Sequence, residues 1–329
     1  MMDFDVRRPA VVLCAVLLLF GAAACSDDAE SDELLVVTTV APLRNIIEEV
    51  GGDRISVIAL VPEGTNSHTF DPPPSAVGEI ESADLIIING LNLELPTLEL
   101  AEANASEDTP IVLLGDLAVS PDEYVFDFSF PEEGGNPNPH LWTAPDQAVK
   151  YAEIVRAQLS KVDPDGEEYY KANAERFIER LWELDEVIAT ATQTIPEAHR
   201  KLITYHDSFP YFAPRYGLEV IGAVQPSDFS EPSPREVADL IAQVQAAGVP
   251  AIFGSEVFPS EVLDTIAEEA GAVQVSTLSD DDLPGEPGDA ENTLVAMMVE
   301  NVRTMVTALG GDASALDGFD VGSTWRPSE

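Results

Sequence analysis

Residues 34–64 read LLVVTTVAPLRNIIEEVGGDRISVIALVPEG and contain one complete strand–helix–strand unit. The first run, LLVVTTV, and the last, ISVIALV, are rich in β-branched residues, which favours strands. Between them, the apolar residues of APLRNIIEEV recur with helical spacing, and the pair Gly51-Gly52 ends the helix. This unit predicts the start of an α/β fold.

The alternation of strands and helices continues to about residue 120. The runs LIII (85–88) and PIVLL (110–114) predict two more buried strands, and a short helix precedes the first of them. Strands that alternate with helices form a mostly parallel sheet. Residues 121–139 are rich in proline, glycine and acids and predict a long loop. We therefore predict an N-terminal α/β lobe at residues 34–163.

A long amphipathic helix is predicted at the centre of the chain. From Glu167 to Ile195 the sequence has helical periodicity and contains neither glycine nor proline. At about 1.5 Å per residue, a helix of roughly 30 residues spans about 45 Å. We expect residues 164–196 to form a linking helix between two lobes.

The second half repeats the order of elements in the first. Four β-rich runs alternate with helices, and SPREVADL opens one helix with a capping box made by Ser233 and Glu236. A C-terminal α/β lobe is therefore predicted at residues 197–329. The fold class is α/β, with two lobes, each a mostly parallel sheet flanked by helices, joined by one long linking helix.

The N-terminus has the features of an export signal. Two arginines precede an apolar run that is too short to span a membrane, and small residues lead to Cys25. The pattern resembles a bacterial lipoprotein cleavage site, at which the cysteine is acylated. We predict a lipoprotein signal peptide at residues 1–24, lipidation of Cys25, an acidic tether at 25–33, and an extracytoplasmic, membrane-anchored protein. The alternative is ordinary secretion with a free thiol.

Charge and cysteine content restrict the possible partners. The chain has 16 Lys and Arg against 60 Asp and Glu, a net charge of -44, which repels the phosphates of nucleic acids. Nucleic acid is therefore excluded as a partner. The only other cysteine, Cys14, lies within the signal peptide, so the mature chain has no internal disulfide.

Three of the four histidines lie where a ligand would bind. His68 and His206 follow predicted strands, and His140 lies in a proline-rich loop that leads to a helix. In open parallel sheets, ligands bind beyond the carboxyl ends of the strands. These three are candidate metal ligands. His199 precedes a strand among charged residues, and we expect it to be a surface residue.

A carboxylate is the expected fourth ligand. Asp280, Asp281 and Asp282 follow a predicted strand of the second lobe. This strand end is equivalent to the one that precedes His68 in the first lobe. In so acidic a chain an aspartate run is also typical of a solvated turn. The position at the strand end makes one of the three aspartates a candidate ligand.

Five segments of the mature chain form an ordered set of motifs. They are GTNSHTFDPPPS (64–75), NPHLWTAP (138–145), YHDSFPYFAPRYGL (205–218), EPSPREVADLI (231–241) and AIFGSEVF (251–258). With these segments the chain resembles the metal-binding lipoproteins of zinc and manganese ABC transporters, a family of solute-binding proteins. The resemblance covers nearly all of the mature chain, and the segments occur in the family's order.

The resemblance implies a function and a ligand set. The function is high-affinity metal-ion binding outside the cytoplasm and delivery to the membrane permease of an ABC importer, by a monomer with no catalytic residues. His68, His140 and His206 would be metal ligands. The family pattern, an aspartate, one residue and then an apolar residue, favours Asp281 as the fourth, with Asp280 as the alternative if the loop is one residue longer.

The ligand types favour zinc over manganese. Many zinc members carry a histidine-rich loop before the second histidine, whereas residues 121–139 contain none, so metal collection by histidines is not expected. Many manganese members have a glutamate at the position of His206. The histidine in this chain therefore favours Zn2+, with Mn2+ as the alternative. Because the reference pKa of imidazole is about 6.5, we expect affinity to fall between about pH 6.5 and 5.

Two other classes of function fit the sequence less well. A secreted zinc hydrolase also uses histidines and a carboxylate, but the chain has no HExxH, GxSxG or P-loop motif. Glu231 and Glu256, the conceivable general bases, lie in segments that the binding family uses without catalysis. A role in cell adhesion has no readable motif.

Overall fold

The computed structural model describes Met1 and residues 33–227, 229–257 and 261–325. The predicted signal peptide, Cys25 and the tether lie outside these residues, apart from Met1 and Glu33. Beyond residue 32 the chain forms one compact unit. No helix within the described ranges combines the length and apolarity that crossing a membrane requires.

The first half of the chain forms a sheet of four parallel strands in the order β2-β1-β3-β4. Its strands are β1 (Leu34–Thr38), β2 (Ile55–Ala59), β3 (Leu85–Ile88) and β4 (Ile111–Leu113). The helices of this half are α1 (Ala41–Gly51), α2 (Ala76–Ser82), α3 (Leu95–Asn104) and α4 (Leu114–Ala118), followed by α5 (Pro145–Val162). The strand–helix–strand unit predicted from residues 34–64 is confirmed as β1-α1-β2.

Helix α3 was not predicted from the sequence. The leucines at 95, 98 and 100 do not follow one helical stripe, and the helix buries only Thr97 and Ala101. The amphipathic signal is therefore weak, although the helix forms.

The second half forms another sheet of four parallel strands, in the order β6-β5-β7-β8. Its strands are β5 (Lys201–Thr204), β6 (Glu219–Ala223), β7 (Ala251–Ser255) and β8 (Val273–Leu278). The helices are α7 (Phe212–Arg215), α8 (Pro234–Ala247), α9 (Glu261–Ala270) and α10 (Leu294–Ala308). The predicted capping box of Ser233 and Glu236 is present at the start of α8. The predicted fold class is confirmed.

The long helix α6 (Glu167–Thr192) begins after a 3-10 turn at Pro164–Gly166 and has 26 residues. It ends before the predicted boundary at 196. The Thr194 hydroxyl donates a hydrogen bond of 2.6 Å to the Ala191 carbonyl oxygen, and Pro196 disfavours helical backbone in the residue before it. At about 1.5 Å per residue the helix is about 39 Å long.

Helix α6 is embedded in the core rather than exposed between lobes. It packs against α1 and α5 of the first half and α10 of the second. Its fully buried apolar side chains belong to one hydrophobic cluster that extends from β1 to α10. The helix therefore fixes the two sheets against a shared core. The lobe boundaries at 34–163 and 197–329 stay a prediction.

Candidate metal centre

Each of the three candidate histidines follows a different structural element. His68 lies in a 3-10 turn after β2, where the Asn66 side chain accepts a hydrogen bond from its backbone N–H. His140 immediately precedes a 3-10 turn that leads into α5, and His206 follows the end of β5 by two residues. Two of the three are thus placed by the carboxyl ends of strands, one from each sheet, as expected for a ligand site in parallel sheets.

The structure brings these three histidines together. One ring nitrogen from each lies within 4.8 Å of the others, and the Nε2 atoms of His68 and His140 are 3.2 Å apart. Tetrahedral zinc with Zn–N bonds of about 2.0–2.1 Å requires nitrogens about 3.3 Å apart. The distance between His68 and His140 therefore matches that of two nitrogens bound to one small cation. Among the described residues, a search for three or more His, Cys, Asp or Glu side chains close enough to hold one metal ion finds these three histidines.

His199 lies outside this group, as expected. Its Nδ1 atom is 3.0 Å from the carbonyl oxygen of Leu309 at the end of α10. The ring caps the end of that helix, and this contact gives it a structural role.

Two amide side chains contact the outward nitrogens of the clustered histidines. Asn138 Oδ1 lies 2.9 Å from His140 Nδ1, and Gln225 Oε1 lies 3.0 Å from His206 Nδ1. Since an amide oxygen only accepts hydrogen bonds, each Nδ1 carries the proton. Each Nε2 then keeps a lone pair that a metal can bind.

Burial lowers the pKa of all three imidazoles. Desolvation, assisted by the neighbouring imidazoles, holds the pKa of His68 and His140 well below the ordinary value. Desolvation lowers the pKa of His206 to about 4, and the hydrogen bond that its ring donates to Gln225 opposes this shift. The rings are neutral at neutral pH, which is the state that coordinates metal.

The candidate carboxylate Asp281 lies beside the cluster but not within it. Its Oδ2 atom accepts a hydrogen bond of 3.2 Å from the backbone N–H of Ser67, the neighbour of His68. Its Oδ1 atom is buried and has no hydrogen-bond partner among the described residues. Burial raises the pKa of Asp281 to about 7. A buried carboxylate oxygen without a partner is costly and is accounted for if it binds a cation.

Asp280, the alternative fourth ligand, is engaged elsewhere. Its carboxylate accepts a hydrogen bond from the hydroxyl of Ser208, and its backbone carbonyl accepts one of 2.6 Å from Trp142 Nε1. These contacts direct Asp280 towards the core between the two sheets. Asp282 also has a partner, because it accepts a hydrogen bond from the backbone N–H of Gly64 at 2.7 Å.

Glu256 shapes the aspartate loop, a role that the sequence did not indicate. Its Oε1 atom accepts hydrogen bonds from the backbone N–H groups of Asp280, Asp281 and Asp282 at 2.7, 3.0 and 3.2 Å. The carboxylate is therefore occupied as an acceptor. The sequence feature that would have indicated this role is the position of the acid directly after strand β7, the neighbour of β8.

Aromatic rings surround the imidazoles. Phe229 stacks on His68 with ring centroids 4.6 Å apart and an interplanar angle of 19°, and Phe130 lies 5.6 Å from His206. Trp142 lies 5.2 Å from His140, so this core residue also borders the cluster. A cleft of about 260 Å³ bordered by Phe130 and Phe229 reaches His68. The sequence did not identify either phenylalanine, because no spacing rule connects these loops to the histidines.

Comparison with known proteins places this architecture in a family. Residues 36–308 match the family described as zinc-uptake complex component A, periplasmic. The chain belongs to this family. The resemblance found in the sequence motifs is thereby confirmed.

Relatives differ in the metal named for them. The manganese-binding lipoprotein MntA of Halalkalibacterium halodurans is 31% identical over 276 residues, covering 84% of this chain and 88% of the relative. The high-affinity zinc uptake system protein ZnuA of Bacillus subtilis is 30% identical over 289 residues, covering 84% and 88%. The solved structure of the periplasmic zinc binding protein TroA from Treponema pallidum has a TM-score of 0.77 at 26% identity, covering 84% of this chain and 99% of that one.

Proposed function

We propose that this protein binds a transition-metal ion outside the cytoplasm and delivers it to the membrane permease of an ABC importer. The observation that carries the proposal is the group of three neutral imidazoles whose ring nitrogens lie within 4.8 Å of one another. Family membership supports the same function. The metal ion is the cargo of the protein, and no catalytic residue is assigned.

We infer that the ligands are His68, His140, His206 and Asp281. Asp281 is preferred to Asp280 because its Oδ1 atom has no partner among the described residues, whereas the Asp280 carboxylate accepts from Ser208. Binding would need the Asp281 side chain to join the imidazole group. Asp281 is near the group in the fold, since its carboxylate accepts a hydrogen bond from Ser67, the neighbour of His68.

We infer that zinc is the preferred ion. Imidazole nitrogens increase affinity along the Irving–Williams order, in which zinc lies above manganese, while manganese gains more from oxygen ligands. Three nitrogens and one carboxylate therefore favour Zn2+. The relatives alone leave the choice open, since one is named for manganese and another for zinc.

A secreted zinc hydrolase is the alternative from another class. Catalytic zinc sites keep one coordination position open for water. A site of three histidines and one aspartate would be closed, which suits storage and delivery. Glu256, a conceivable general base, already accepts three backbone hydrogen bonds. A role in cell adhesion is a further alternative, and no feature of the described residues supports it.

The proposed location is the outer face of the cytoplasmic membrane or the periplasm, with acyl chains on Cys25 as the anchor. The proposal of a monomer with a permease partner rests on the resemblance to binding lipoproteins. The net charge of -44 argues against nucleic acid.

Metal competition tests the proposed function. Protein purified without added metal should contain one transition-metal ion per chain by elemental analysis. After chelator treatment, equilibrium dialysis against equal zinc and manganese should load zinc. Equal or greater manganese loading would contradict the zinc assignment, and a zinc site with an exchangeable water ligand would favour the hydrolase.

A further inference from the structure

The side chain of Asn138 is completely buried, and all of its hydrogen-bonding groups have partners. Its Oδ1 atom accepts from the backbone N–H of His140 at 2.9 Å and faces His140 Nδ1 at the same distance. Its Nδ2 atom donates to Asp127 Oδ2 at 2.7 Å and to the backbone carbonyl of Asp207 at 2.6 Å. One amide therefore connects a candidate ligand to the loop of His206.

The orientation of this amide is determined by two backbone groups. The N–H of His140 is always a donor, and the carbonyl of Asp207 is always an acceptor. Rotating the amide by 180° would place its NH2 group against that N–H and its oxygen against that carbonyl. Both contacts would be repulsive and buried, so only the observed orientation satisfies both groups. This conclusion does not depend on the protonation of Asp127.

A fixed amide oxygen determines the state of the imidazole that it faces. Asn138 Oδ1 accepts, so His140 Nδ1 must donate, and the proton cannot be on His140 Nε2 in the neutral ring. Free imidazole side chains favour the opposite tautomer, with the proton on Nε2. The contact thus reverses the ordinary preference and directs a lone pair towards His68 Nε2, 3.2 Å away.

We propose that Asn138 is a positioning residue that holds His140 in the Nδ1–H tautomer, with Nε2 directed into the three-histidine group. The inference deepens the proposed metal-binding function and rests on it. Gln225 has the same relationship to His206 through a 3.0 Å contact, and its Nε2 atom donates to the Phe229 carbonyl at 3.3 Å. His68 is held differently, by stacking on Phe229.

The tautomers can be read in the metal-free protein by nuclear magnetic resonance. Long-range 1H–15N correlation on 15N-histidine-labelled protein distinguishes Nδ1–H from Nε2–H, and His140→Ala assigns the His140 signals. Wild-type His140 should carry its proton on Nδ1. In Asn138→Ala the Nε2–H form of His140 should become the major one, because the oxygen that accepts the Nδ1–H hydrogen bond is lost.

Asn136→Ala is the matched control, since Asn136 is in the same loop, is exposed, and contacts Asn92 rather than His140. It should leave the His140 signals unchanged. If Asn138→Ala does not fold, Gln225→Ala provides the same test through His206, whose proton should likewise move from Nδ1. His199 serves as an internal reference for folding in every variant.

Zinc affinity provides a second readout. Removing an outer partner of a metal-binding histidine typically costs about 10- to 100-fold in affinity, so Asn138→Ala should bind zinc about that much more weakly and Asn136→Ala should match the wild type. An Nε2–H tautomer of His140 in the wild type, or unchanged tautomers in Asn138→Ala and Gln225→Ala, would overturn the proposal. Correct tautomers in a wild type that binds no metal would instead refute the proposed function.

Discussion

The Nε2 atoms of His68 and His140 lie 3.2 Å apart although the two residues are 72 positions apart in sequence. Both imidazoles are desolvated and have pKa values well below the ordinary one, so each is neutral and keeps a lone pair on one ring nitrogen. Two ring nitrogens at this distance share either a proton, as in a hydrogen bond from His68 to the lone pair on His140 Nε2, or a cation that binds both. The relationship is the strongest structural indication of a cation site.

Asp281 and Asp280 should differ in their effect on metal binding. Asp281→Asn should weaken zinc binding strongly, because it removes a buried carboxylate beside the three histidines whose Oδ1 atom has no hydrogen-bond partner among the described residues. Asp280→Asn should lower thermal stability instead, because it alters a buried contact to Ser208. Calorimetric zinc titration and thermal melts of both variants separate the two effects. Loss of binding in Asp280→Asn with none in Asp281→Asn would reverse the assignment.

Zinc affinity should fall by about tenfold per pH unit between about pH 7 and 5, as one proton competes for each ion. Burial raises the pKa of Asp281 to about 7, so below that pH the metal-free carboxyl is protonated and must lose its proton to bind. The imidazoles compete only at lower pH, because the pKa of His206 is about 4 and those of His68 and His140 are also lowered. Zinc titrations at several pH values measure the slope.

This expectation corrects the one based on reference pKa values, which placed imidazole protonation between about pH 6.5 and 5. Asp281→Asn should flatten the pH response in that range, and His199→Ala should leave it unchanged. A wild-type loss of about a thousandfold per pH unit between pH 6.5 and 5 would show that three imidazoles titrate there and that their pKa values are not lowered.

Metal binding should leave the overall dimensions of the protein nearly unchanged. Helix α6 has no glycine or proline within Glu167–Thr192 and packs on helices of both halves. Hydrogen bonds also join the halves directly, from Arg44 to Asn292 at 2.6 Å and from Gly64 to Asp282 at 2.7 Å. Small-angle scattering curves with and without zinc should superimpose. A clear decrease in radius of gyration on zinc binding would indicate a wide hinge and contradict the role of α6 as a stiff spacer.

Cys25→Ser should release the protein from the membrane. Cys25 lies outside the described residues, and acyl chains on it are the predicted hydrophobic attachment. Detergent phase partitioning of the wild type and the variant, expressed in a bacterium that processes lipoproteins, measures this. Equal recovery of both proteins in the aqueous phase would contradict lipid anchoring.

The sequence predicted both sheets and most of their helices, apart from α3, and it singled out the three histidines that lie together in the fold. Runs such as LIII at 85–88 and the glycine pair after α1 carry local signals that tertiary contacts do not reverse. His68 and His206 were singled out because parallel sheets place ligands beyond strand ends, and His140 because prolines stiffen its loop; the fold brings the three together. The end of α6 was misplaced because Thr194 forms a side-chain hydrogen bond to the backbone.

The remaining features depend on contacts between residues far apart in sequence. Phe229 reaches His68 from a loop with φ of 57° at Phe229 itself, a conformation that residue type does not predict. Glu256, which follows β7, accepts hydrogen bonds from three backbone amides in the aspartate loop. The lowered imidazole pKa values come from burial that only the folded chain provides. The choice between Asp280 and Asp281 likewise depends on which carboxylate has an oxygen without a partner among the described residues.

Calorimetric titration of zinc into chelator-stripped protein tests the proposed ligand set most directly. The wild type should bind one ion per chain. His68→Ala, His140→Ala and His206→Ala should each weaken binding by more than the roughly 10- to 100-fold expected of an outer partner. His199→Ala should bind as the wild type does, since its ring contacts the end of α10 and is not part of the three-histidine group. Unchanged affinity in His140→Ala together with a large loss in His199→Ala would contradict the site described here.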